Sequence, residues 1–313
     1  MLMLYRLSFF KETRLMAFTT ADIRGSIPPV ITPFKNGEVD YVTYANLIEY
    51  QIKNGTHGIL VNGTTAEPST LTTDERNQLV DVAVKTVNGR VPIVAATGSQ
   101  SLWESKILTE YAAKAGVDAL LIVTPYYIKP PQRGLVDYYK EVTKDIKTPW
   151  MIYHIPGRTG VVMAVESLKQ LRNSCPNFIG MKQAYNDLGM VSECLTELGS
   201  DFKIFVGLEE LSFPMMAVGA CGLMNAVGNL CPKPLSEMCE AVWANDLNKG
   251  RELHQQLLTI NQSIFYETNP IPMKYMMKRM GLISANEHRL PMSPATPELE
   301  RRLDIVLQNT GLI

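Results

Sequence analysis

Residues 149–185 read PWMIYHIPGRTGVVMAVESLKQLRNSCPNFIGMKQAY, a strand–helix–strand unit on which the fold can be read. Two apolar runs, TPWMIYH and NFIGMKQ, flank a helix-like segment near 165–173. Neither run alternates with polar residues, so both faces of each strand are expected to be buried, as in a parallel sheet covered by helices. Each run also closes on a reactive group. The first reaches Tyr153 and leads into PGRTG with Arg158, and the second reaches Lys182. Lysine is rarely drawn into an apolar strand. Desolvation disfavours the ammonium form, so a lysine placed there can act as an amine nucleophile toward carbonyls. The plainer alternative is a lysine that snorkels from the strand end into water.

Working outward, the same unit recurs. Apolar runs lie at 25–34, 57–63, 91–98, 118–127, 148–154, 177–182, 202–207 and 221–228, spaced on average by roughly 25 to 30 residues, each before a helix-like segment. Asp40 reads as the cap of the first helix, and Thr72 with Glu75 as the capping box of the second. Eight strand–helix repeats point to an α/β protein, a closed (β/α)8 TIM barrel rather than an open doubly wound sheet. No GxGxxG follows the first strand, which disfavours dinucleotide binding. Beyond Pro234 the pattern is wholly helical, with segments to about 248, then 249–267, 271–281 and 296–309. The expected organisation is a loose N-terminal arm over 1–20, a barrel over 21–248 and a C-terminal helical appendage over 249–313.

Composition narrows the function. The chain has 313 residues, 46% hydrophobic and 19% charged, with a net charge of −1, which suits a globular protein and gives no sign of a nucleic-acid or membrane-surface partner. The five cysteines form no CxxC pair and read as reduced thiols of a cytoplasmic protein. The four histidines lie at no ligand spacing, so no metal is expected. The opening MLMLYRLSFFKETRLMAF carries charges inside its apolar part and lacks a small-residue cleavage site, unlike a signal peptide.

Barrel active sites form at the C-terminal strand ends. By that rule the candidates are Thr64 and Thr65 after the second strand, Tyr126 and Tyr127 after the fourth, Tyr153 and Arg158 after the fifth, and Lys182 at the sixth. Each has an ordinary reading as well: a polar turn, aromatic packing under a proline-stiffened loop, or a surface charge. His154, next to Tyr153, should face the other side of its strand and serve the core. The methionines read as core or interface filler.

Several stretches together resemble a known family: GTTAEPSTLT (63–72), VTPYYIKP (123–130), IYHIPGRTG (152–160), IGMKQA (179–184), GACGLMNAVGN (219–229), FYETNPIPMK (265–274) and RLPM (289–292). The chain is similar, from about Gly25 to Pro294, to the pyruvate-dependent Schiff-base class I aldolases, the family of dihydrodipicolinate synthase and N-acetylneuraminate lyase. YHIPGRTG and NPIPMK lean toward the synthase branch. The resemblance implies that Lys182 forms an imine with pyruvate and needs no cofactor. It makes Tyr153 the general acid/base, relayed by Thr64 and by Tyr127 of a neighbouring subunit. Thr65 shares the pyruvate carboxylate with Thr64, Arg158 takes the carboxylate of aspartate semialdehyde, and Gly207 and Met224 complete the substrate-binding set. A borrowed tyrosine implies an oligomer, expected to be a homotetramer built as a dimer of dimers. The resemblance leaves a second reading open, a paralogous aldolase, lyase or dehydratase acting on another 2-oxo acid. This chain departs from the synthase pattern at His154, Gln183, Ala66, Pro68 and Asn225. Thr73 and Arg76 stand where some lysine-inhibited members have histidine, while Glu104 and Tyr126 are retained.

Overall fold

The computed structural model describes residues 18–313, so the arm expected over 1–20 lies almost wholly outside the described residues. Eight parallel strands form one sheet: β1 Gly25–Ser26, β2 Ile59–Val61, β3 Ile93–Ala96, β4 Ala119–Val123, β5 Trp150–His154, β6 Phe178–Gln183, β7 Lys203–Val206 and β8 Gly222–Leu223. The sheet closes on itself. On one side β1 pairs with β8 through Gly25–Gly222 and Ser26–Leu223. On the other, Ser26 O accepts from His57 N at 2.9 Å and Pro28 O from Leu60 N at 3.1 Å, while Leu60 O accepts from Val30 N at 3.1 Å. The expected (β/α)8 barrel is the fold.

Helices follow the strands in turn. They are α1 Tyr41–Lys53, α2 Thr73–Val87, α3 Leu102–Ala115, α4 Gln132–Thr143, α5 Val165–Ser174, α6 Leu188–Leu198, α7 Ser212–Ala217 and α8 Pro232–Trp243. Asp40 accepts from Thr43 N to cap α1, and the Thr72–Glu75 box caps α2 as its spacing predicts. Four more helices complete the chain: α9 Leu247–Gln256, α10 Leu258–Ser263, α11 Ile271–Arg279 and α12 Pro297–Asn309.

Two local features add to the strand–helix pattern. The stretch around NGEVD is a two-stranded hairpin, Phe34–Lys35 against Glu38–Val39, turning on Asn36 and Gly37 at φ +54° and +80°. That backbone suits the twist of a tight hairpin, and Asn-Gly is its usual sequence. PGRTG is a helical turn, Pro156–Thr159, opened by proline and closed by Gly160 at φ +68°.

Strand residues divide between two apolar layers. Ile59, Val61, Leu120, Ile122, Ile152 and Met181 pack outward under the helices. Leu60, Val94, Leu121, Met151, Tyr153 and Phe205 point inward and fill the barrel.

Candidate active site

The placement of Lys182 rests on an irregularity in β6. Strict alternation from Ile179, which faces inward, would turn Met181 inward and Lys182 outward. The ladder with β5 instead slips one residue, with Trp150 opposite Phe178 but Met151 opposite Gly180. This bulge sends Met181 to the outer layer and sets Lys182 directly opposite Tyr153. Only glycine fits at the slip, since a Cβ on residue 180 would lie 2.0 Å from the carbonyl oxygen of Lys203. Glycine is needed again above the lysine. A Cβ on Gly207 would come within 2.9 Å of the Lys182 Cε.

Lys182 is 3% exposed, and its Nζ lies 4.4 Å from the centroid of the Tyr153 ring. Thr64 Oγ1 donates to Tyr153 Oη at 3.4 Å, a long hydrogen bond. An inner cavity of about 60 Å³ gathers Lys182, Tyr153, Thr64, Thr65, Gly207 and Met224, with Arg158 at its edge. Seven of the residues singled out from sequence therefore share one cavity. A larger cavity of about 570 Å³ adjoins it through Thr64, Tyr153, Ile155, Arg158 and Asn269, but Lys182 does not line it. The reactive groups occupy the small chamber and the volume lies beside them. Arg158 is exposed at the mouth of both.

Tyr127 stands apart. It lines neither cavity, is 86% exposed, and holds a left-handed backbone at φ +74°. His154 is fully buried on the outer side of β5, where Nδ1 bonds Gln183 Oε1 at 2.6 Å and Nε2 accepts from Met163 N at 3.1 Å. Its core role agrees with strand alternation.

Sequence reasoning missed Glu209 and Asn269. Glu209 lines the inner cavity and is 2% exposed. One carboxylate oxygen accepts from Ala226 N at 2.7 Å, and the other has no hydrogen-bond partner. Burial pushes its carboxyl up to about 7, while its backbone amide contacts and the nearby charge of Lys182 pull it down. Asn269 donates from Nδ2 to Thr65 Oγ1 at 3.0 Å. The signal for Glu209 is its place two residues past the strand-end Gly207 in FVGLEEL. Nothing local marks Asn269 as a partner of Thr65.

Chemically, the chamber combines an amine in no ion pair among the described residues, a phenol beside it, a hydroxyl reaching the phenol, and a guanidinium at the rim. That set suits a carbonyl substrate bearing a carboxylate. Among the described residues, no group of three or more His, Cys, Asp or Glu is placed to hold a metal ion. Among them, too, no helix is long and apolar enough to cross a membrane.

Comparison with known proteins points the same way. The sequence model of the dihydrodipicolinate synthetase family matches residues 22–310. A 4-hydroxy-tetrahydrodipicolinate synthase of Thermus thermophilus is 43% identical over 291 residues, covering 93% of this chain and 97% of the relative. The crystal structure of dihydrodipicolinate synthase from Aquifex aeolicus superposes with a TM-score of 0.90 at 39% identity, covering 92% of this chain and 98% of that one. The Acinetobacter baumannii dihydrodipicolinate synthase, solved in complex with pyruvate, gives a TM-score of 0.90 at 35% identity, covering 93% of this chain and 100% of that one.

Proposed function

The chain belongs to the dihydrodipicolinate synthetase family, and from that premise we propose that it is a 4-hydroxy-tetrahydrodipicolinate synthase, joining pyruvate to aspartate semialdehyde through an imine on Lys182. The observation that carries this reading is the pairing of Lys182 with Tyr153 across β5 and β6, amine beside phenol in a small inner chamber.

In this reading the Lys182 amine attacks the keto carbon of pyruvate, and the resulting carbinolamine loses water to give the imine. Tyr153 supplies and recovers the protons, with Thr64 as its hydrogen-bond relay. The amides of Thr64 and Thr65 hold the pyruvate carboxylate, and Gly207 and Met224 shape the chamber around it. Tyr153 takes a methyl proton while the C–H electrons pass into the protonated imine, leaving an enamine that attacks the aldehyde carbon of the second substrate. Arg158 at the mouth takes that substrate's carboxylate. The chemistry calls on no cofactor, because the protonated imine is itself the electron sink.

Tyr127 enters from a second copy of the chain. Its exposure supports this, as does the exposure of Ile128, Trp103 and Ile107, which together offer apolar surface to a partner. A dimer of dimers and a cytoplasmic location complete the reading, the latter fitting five unpaired cysteines. The departures at His154 and Gln183 bear little on the choice between the synthase and a paralogue for another 2-oxo acid. Both side chains line neither cavity.

The test is the consumption of aspartate semialdehyde by purified protein, with pyruvate present and then absent. Pyruvate-dependent loss that disappears in Lys182→Ala is the expected result. No loss, with a borohydride-trapped pyruvate adduct still forming on Lys182, would move the assignment to another acceptor.

A further inference from the structure

One cluster of buried charge takes no part in the chemistry above. Glu67 follows Thr64 and Thr65 on the loop after β2, between two short 3-10 turns, and adopts a left-handed backbone at φ +55°. One of its carboxylate oxygens lies 2.5 Å from Lys274 Nζ on α11, the other 3.0 Å from His288 Nδ1. All three side chains are at most 1% exposed. Lys274 also donates to Glu287 O at 2.8 Å and rests 4.2 Å from the Phe34 ring. The same C-terminal stretch grips the loop twice more. Asn269 reaches Thr65 Oγ1, and Arg289 donates to Thr70 O at 3.3 Å while forming a two-pronged pair with Glu75 at the start of α2.

Stability alone is a poor account of this arrangement. Desolvating two charges offsets most of their attraction, so a buried ion pair contributes little over a well-packed apolar one. A left-handed backbone at a residue other than glycine is itself unfavourable. What the cluster does supply is fixed geometry. Its contacts fall on the loop whose first two residues line the inner cavity, and hydrogen-bond donors stabilise a bound anion only when held in place beforehand.

We propose that the Glu67–Lys274 pair is a latch by which the C-terminal helices hold the Thr64 and Thr65 amides in register for the carboxylate of the 2-oxo acid, making both members of the pair positioning residues. The proposal rests on the reading that pyruvate binds to those amides. Without the latch the loop keeps Asn269 on Thr65 but loses its anchor two residues further on. The amides then sample positions from which they cannot both reach one carboxylate. The chemical groups, Lys182 and Tyr153, stand on strands and are untouched. The expected signature is therefore weaker capture of pyruvate with little change in turnover once pyruvate saturates.

The experiment measures borohydride trapping of pyruvate on Lys182 as a function of pyruvate concentration, alongside KM and kcat. It compares wild type, Lys274→Met, Glu67→Gln and the double variant, which leaves no unpaired buried charge. Folded variants should need about tenfold more pyruvate for half-maximal trapping, with kcat within about twofold of wild type. The double variant should be no worse than the poorer single one, because the two residues act as one device. If either single variant fails to fold, the double variant and Asn269→Ala carry the comparison. Unchanged half-saturation in folded variants overturns the latch. A wild type that traps no pyruvate overturns the pyruvate reading instead. In that case hydrogen exchange at the amides of residues 64–67 decides the latch: faster exchange in the double variant supports it, and unchanged exchange overturns it.

Discussion

Lys182 and Lys274 are both lysines drawn out of water, 3% and 0% exposed, and both lie over an aromatic ring. Their company separates them. Lys274 faces a carboxylate at 2.5 Å and donates to a main-chain carbonyl. Lys182 is in no ion pair among the described residues, and its Nζ rests 4.4 Å from the centroid of a phenol ring. A cation held by a carboxylate is tied to structure, because removing it strands the partner's charge. An amine with no such partner stays available to an incoming carbonyl. Burial alone thus says little about what a lysine does; the neighbouring atoms say more.

The sharpest way to break that contrast is to remove each amine in turn. Lys182→Met should abolish pyruvate trapping and lower kcat by at least about 10⁴-fold, as loss of a covalent nucleophile does. Its urea unfolding should stay within about 1 kcal/mol of wild type or rise, since Lys182 is in no ion pair whose loss would strand a partner. Lys274→Ala should show the reverse emphasis. Loss of one partner from the buried pair is expected to lower unfolding free energy by about 3–5 kcal/mol, and adding Glu67→Gln should recover part of it. A stable Lys274→Ala protein would erase the distinction.

Glu209 sharpens the contrast with a third buried charge, one that shares the chamber with Lys182. Its carboxyl is pushed up to about 7 from an ordinary 4.5, so between those values the folded protein keeps a proton that the unfolded chain has released. Stability contributed by this group is complete below pH 4.5, declines as pH rises, and is lost above about 7. Glu209→Gln should therefore gain on wild type by roughly 3 kcal/mol between the acid and alkaline ends of that window. Unfolding measured at several pH values checks it, and parallel profiles for the two proteins would contradict it. The smallest effect is expected at the mouth. Arg158→Ala should reduce kcat/KM for aspartate semialdehyde by about 10²-fold while leaving the pyruvate adduct intact, because a charge-assisted contact is lost only to the second substrate.

The fold was legible because its signals are local and repeated. Continuous apolar runs marked each strand, and Asp40, Thr72 and Glu75 marked helix starts by spacing alone. Seven residues of the inner chamber were legible by the strand-end rule together with the family resemblance. What stayed hidden depends on register or on distance along the chain. The slip at Ile179 and Gly180 turns Lys182 inward, yet IGMK carries no mark of a bulge except the glycine. Glu209 and Glu210 are adjacent carboxylates in one segment, one buried and one exposed, and composition cannot separate them. The grip of Lys274 on Glu67 joins two stretches far apart in sequence, each of which reads locally as an ordinary loop or helix.

The closure of the sheet bears on how the chain is made. Residues 25–30 find their partners on one side in β2 but on the other in Gly222 and Leu223, and Asn229 reaches back to Ile31 at 3.3 Å. A polypeptide leaving the ribosome N-terminus first thus carries the first staves of the barrel with an open flank until the eighth is translated. Such long-range closure is slow to form and leaves an adhesive edge in the meantime. During synthesis the unpaired flank therefore stays exposed through most of the chain's length, and it is covered only when the last strand pairs with the first.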